Sequence, residues 1–152
     1  VVFLITIVFN RYFLDSMIMG TKMRIVEKNI AKQEQKYKAD TYGGKTPQET
    51  YALFLEALDE KDIELASKYF VLDKQEEYKE ALFDVKKYDK WQLMLEDLTQ
   101  ENLKWRQVGE TSMVLEIYNG KEEFLTQINF SLPGKILDNL SPISDIWKIS
   151  SF

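Results

Sequence analysis

At 152 residues, with 45% hydrophobic and 13% aromatic side chains, the chain is long and apolar enough for one packed domain with an appendage. Its net charge is −5 and it has no basic stripe of the kind a phosphate backbone requires, so nucleic acid is not an expected partner. There is no cysteine and no histidine, which removes disulfides, thiolate and imidazole metal sites, Cys and Ser-His nucleophiles and the usual general base near neutral pH.

The chain opens on Val1 to Phe9, an apolar run interrupted only by Thr6. It begins with valine, and the true start is expected to have been removed. Nine residues cover about half of a hydrocarbon core, which takes roughly 20 in a helix. Tyr12, Phe13, Leu14, Met17, Ile18 and Met19 extend the apolar character, so residues 1–19 read as the end of a membrane-anchor helix. A buried strand is the alternative, because Val, Ile and Phe are β formers. A cleaved signal peptide fits less well, since no small-residue cleavage site follows.

From Asp15 to Asp40 there is no proline, Gly20 is the only glycine and charges alternate in sign, the pattern of a solvated helix. Met19, Met23, Val26, Ile30, Gln33 and Tyr37 follow 4-3-4-3-4 spacing, which makes Met19, Met23, Val26 and Ile30 candidates for helix self-association. A lone stalk helix with accidental spacing explains the same residues. Tyr42-Gly43-Gly44-Lys45 breaks the helix, so residues 20–44 read as stalk and Gly-Gly linker and 45–152 as the folded domain. Residues 1–40 carry a net +3 and the rest −8, placing the basic side next to the apolar run.

Thr46-Pro47-Gln48-Glu49 is a capping box with proline at the first helical position, followed by Tyr51, Phe54, Leu55 and Leu58 on one face. Asp62 caps a second helix with Leu65, Ala66, Tyr69 and Phe70. Tyr78, Ala81, Leu82 and Val85 predict a third, and Trp91, Met94, Leu95 and Leu98 a fourth. From Leu103 the period becomes two: Leu103, Trp105 and Val108, then Met113, Leu115 and Ile117. Asn119-Gly120 predicts a two-residue type I′ hairpin turn. The return strand sets Phe124, Thr126, Ile128, Phe130 and Leu132 on one face, and Ile146 to Ile149 is the last strand. Helices first and a meander after them define an α+β fold, with helices packed on one face of an antiparallel sheet.

Thr46-Pro47-Gln48-Glu49, Phe54, Ala57, Asp62, Ala66 and Tyr69-Phe70, with strands closing on Trp147-Lys148-Ile149, resemble the nuclear-transport-factor-two-like, cystatin-like superfamily. It looks particularly like the membrane-anchored extracytoplasmic members found in bacteria. The resemblance covers about residues 45 to 152 and implies a curved sheet wrapped around helices, with a cone whose interior can hold a ligand. Its enzymes commonly use an Asp with His or Tyr, and this chain has no His.

Asp73, Glu76, Glu77 and Glu80 read as dipole-complementing charges rather than a cation loop, because the sixth position of an EF-hand loop would be Tyr78 instead of glycine. Asp59 with Asp62, and Glu96 with Asp97, read as solvated carboxylates, so neither a metal nor a cofactor is expected. Among the aromatics, Tyr118, Trp105 and Trp147 are the candidates for a binding surface, Tyr118 because it lies on the strand face opposite Leu115 and Ile117. The expectation is a non-catalytic, membrane-anchored extracytoplasmic module that binds a protein, peptide or small ligand and can self-associate through its stalk. A pilin-like filament subunit is the alternative, opposed by the lack of an acid in the first fourteen residues. A small His-free enzyme is the third reading.

Overall fold

A computed structural model describes the backbone of residues 2–133 and 142–152, and the side chains of Met19, residues 21–133 and 142–152. The chain forms two compact units, Val1–Lys36 and Tyr37–Phe152.

The first unit is most of helix α1 (Val2–Ala39). The side chains of residues 1–18, which make up nearly all of the expected anchor and include the Val1–Phe9 run, lie outside the described residues. Among the described residues no helix is long and apolar enough to cross a membrane.

The second unit is α+β. After the last turn of α1 come α2 (Pro47–Asp59), α3 (Ile63–Lys68), α4 (Gln75–Lys87) and α5 (Trp91–Leu98). The strands β1 (Asn102–Gly109), β2 (Ser112–Tyr118), β3 (Phe124–Ser131) and β4 (Lys148–Ser151) follow. The caps act as their chemistry predicts. Thr46 Oγ1 accepts from the Glu49 N–H and the Glu49 carboxylate accepts from the Lys45 N–H, while Asp62 accepts from the Leu65 N–H.

The strands form one antiparallel sheet in the order β1-β2-β3-β4. Trp105, Leu115, Ile128 and their period-two neighbours share one face. Beyond β4 the chain at Tyr69–Val71 runs parallel to it: Ile149 N–H donates to Tyr69 O and Val71 N–H to Ile149 O, each at 2.9 Å. The final strand is thus held on one side by β3 and on the other by the end of the α3 segment.

The core lies on the Trp105 face. Phe54 meets Phe70 edge-on at 5.5 Å, Phe70 stacks on Tyr78 at 4.0 Å, and Tyr51, Trp105 and Phe130 pack on one another between α2 and the sheet. Tyr51 donates its hydroxyl to Leu98 O, and Trp91 Nε1 donates to Leu58 O at 3.1 Å, so both buried polar tips are satisfied.

Three local expectations are corrected. The β2–β3 turn is not a two-residue Asn-Gly turn. It runs from Asn119 to Glu123, where Asn119 Oδ1 accepts from the N–H groups of Lys121 and Glu123, and the positive φ falls on Glu122 at 62°. The asparagine side chain therefore organises a wider loop than its dipeptide suggests. Irregularities in pairing sit beside Val108 and Leu125; Val108, expected on the Leu103–Trp105 face, lies one residue off that alternation and is exposed, and Phe124, which alternation faced inward, is exposed beyond the second irregularity. The last strand starts at Lys148, because Ile146 and Trp147 are engaged with the Gly43-Gly44 segment instead.

Candidate functional site

The sequence candidates do not converge. Trp105 is part of the core face, in contact with Tyr51 and Phe130. Trp147 packs against the core, and its backbone holds the start of the domain: its N–H donates to Gly44 O and its carbonyl accepts from Thr50 Oγ1, both at 2.9 Å. Tyr118 lies on the opposite sheet face. It donates its hydroxyl to Glu116 Oε2 at 3.0 Å, with Lys104 Nζ 4.2 Å from its ring centre and Phe124 edge-on. That bond to Glu116 raises the hydroxyl's pKa above the ordinary tyrosine value. Met19, Met23 and Val26 are exposed on α1 and Ile30 is half-buried.

The stronger site comes from α5. Trp91 and Leu98 are seven residues apart and buried, which fixes the rotation of the helix. Leu93, two residues from Trp91, is consequently turned outward and is 57% exposed. The C-terminus is anchored nearby, since the Phe152 N–H donates to the Tyr78 hydroxyl at 3.0 Å and its ring meets Phe54 edge-on. Between them runs a groove of about 250 Å³ lined by Val85, Leu93, Met94, Leu98, Thr126 and Phe152, with Lys90 and Asp97 as its charged members. Such a surface takes apolar groups and orients them by two opposite charges.

A second groove, of about 420 Å³, is lined by Leu55, Glu56, Asp59, Gln92, Leu95, Glu96 and Thr99. Its three carboxylates make it a polar surface. Among the described residues no group of three or more Asp or Glu is placed to hold a metal ion. In the acidic start of α4, Asp73 accepts from the Tyr37 hydroxyl at 3.3 Å and Glu77 pairs with Lys74, so these carboxylates serve local contacts.

Leu93 carries a signal in the sequence: it is the apolar residue of Trp91–Leu98 that falls off the inward stripe. Nothing in the sequence places it beside Phe152.

The fold and site define an α+β domain with an open apolar groove at the helix–C-terminus junction. No family model matches the chain, and neither a curated protein nor a solved structure matches it.

Proposed function

We propose that this chain is a non-catalytic binding or assembly module that takes an apolar group of a protein, peptide or small ligand into the groove between α4, α5 and the C-terminus. The observation that carries it is the outward-facing Leu93 beside the half-exposed Phe152, two large apolar side chains presented together at a concave surface. In this reading the domain belongs to the nuclear-transport-factor-two-like superfamily, which the capped helices before a closing meander support. Attachment to a membrane, with the domain on its extracytoplasmic side, is supported by the Val1–Phe9 run and by the basic residues that follow it. The absence of histidine and cysteine supports a binding role over a catalytic one.

Methyl-labelled methionine tests the groove, because the chain has only five methionines and Met94 lines it. The full chain in lipid nanodiscs is titrated with a water-soluble peptide rich in leucine and phenylalanine. The Met94 methyl signal is expected to move saturably while that of Met113 on β2 stays, and Leu93→Asp is expected to abolish the movement. A static Met94, or movement that survives Leu93→Asp, contradicts the proposal.

A further inference from the structure

On the described part of α1, Met19, Met23 and Val26 stand 68%, 58% and 51% exposed along one stripe, a large apolar investment for a solvated helix. Their spacing continues to Ile30 and Gln33 and assigns Met23 and Ile30 to position a, and Met19, Val26 and Gln33 to position d, of a heptad. Tyr37 is the next a position, but its hydroxyl is bonded to Asp73 in the folded domain, so the free stripe ends before it.

The charges beside the stripe choose the occupant. In a parallel pair of helices, position g of one faces position e of the next heptad of the other, which sets Lys22 against Glu27 of the second copy, twice by symmetry. In an antiparallel pair g faces g and e faces e. Glu27 then meets Gly20 or its own copy, and Lys22 meets Asn29 or Lys36, so no opposite charges pair. We infer that the Met19–Gln33 stripe of α1 is a parallel dimer interface with a second copy of this chain, in register at Met23 and Val26 and oriented by the Lys22–Glu27 pair. This interface is separate from the groove, and either assignment can fail while the other stands.

The absence of cysteine makes the register directly readable. In the full chain in mild detergent, sedimentation is expected to give a dimer. Val26→Cys is expected to form an intermolecular disulfide on oxidation, because a parallel register places it beside its own copy, whereas Lys28→Cys on the outer face is not. Lys22→Glu should weaken dimerisation by about tenfold, and adding Glu27→Lys should restore it. Met23→Asp should give monomers whose tryptophan fluorescence is unchanged, separating loss of the interface from loss of the fold. A monomeric or higher-order wild-type chain, cross-linking through Lys28→Cys equal to that through Val26→Cys, or no rescue by the charge reversal overturns the inference.

Discussion

Lys148 Nζ lies 2.7 Å from Oδ2 of Asp40, and the two side chains are 1% and 6% exposed. The ammonium also donates to Lys68 O at 2.7 Å, and the other carboxylate oxygen of Asp40 accepts from the Tyr42 N–H at 3.0 Å. The approach to Oδ2 is a charge contact outside the angles of a straight hydrogen bond. Burial lowers the pKa of Lys148 and the Asp40 carboxylate acts against that fall. Removing one partner leaves the other charge buried alone, so Asp40→Ala should cost about 3–5 kcal/mol. The double change Asp40→Leu with Lys148→Met should cost less than the sum of its parts. Urea unfolding of the wild type, Asp40→Leu, Lys148→Met and the double variant measures the coupling, and additive costs would refute it.

Glycine substitutions should separate two kinds of position. Gly43 has φ 123°, and a Cβ there would lie 2.4 Å from Trp147 O and 2.7 Å from Ile146 Cγ2. Gly43→Ala is therefore expected to cost about 2–4 kcal/mol, from backbone strain and the clash together. Gly120 has open space around it, so Gly120→Ala should stay within about 0.5 kcal/mol of wild type. Glu122→Gly, which relieves a positive φ, should stabilise by about 1 kcal/mol. The thermal midpoints of the three variants decide whether strain sits at Glu122 rather than in the Asn-Gly pair.

Alkaline pH should weaken the domain within a defined window. Burial first, then the Asp73 charge, pushes the Tyr37 hydroxyl up to about 12, and burial also raises the pKa of Tyr51 and of Tyr69. The unfolded chain ionises its tyrosines near pH 10, so the stability linked to these raised values is complete below pH 10 and is lost as pH climbs toward 12. Lys148 acts in the opposite sense. Its lowered pKa is a penalty on the charged form that is relieved as pH approaches the ordinary lysine value of 10.5. Calorimetric midpoints should fall steeply above pH 10, and more gently in Tyr51→Phe, which also loses the bond to Leu98 O at a cost of about 1–3 kcal/mol at neutral pH. An unchanged slope in that variant would remove Tyr51 from the explanation.

What was legible from the sequence depended on local chemistry. Thr46-Pro47 and Asp62 announce helix starts because capping is settled within a few residues, and the shift from the Trp91–Leu98 stripe to the Leu103–Trp105 alternation marks where helix gives way to strand. Asn119 reads as a two-residue turn through its neighbour Gly120, whereas its side chain accepts from backbone N–H groups two and four residues on. Phe124 escapes a period-two reading because the irregularity at Leu125 reverses the face of what lies beyond it, whereas Val108 is exposed as strict alternation from Leu103 and Trp105 requires. The groove and the Asp40–Lys148 pair were not legible as sites. Lys148 stands out as a charge within an apolar strand, but its partner is far away in sequence, and no periodicity links Leu93 to Phe152.

The domain is a compact unit from Tyr37 onward, and its start is fastened through the Asp40–Lys148 pair. The three tryptophans, Trp91, Trp105 and Trp147, all lie in that unit and report its unfolding. Urea unfolding of the full chain is compared with versions beginning at Tyr37 and at Tyr42. The chain beginning at Tyr37 is expected to unfold at the midpoint of the full protein, and the chain beginning at Tyr42, which lacks Asp40, to lose about 3–5 kcal/mol. An unfolded Tyr37 version, or a Tyr42 version of equal stability, would contradict this arrangement.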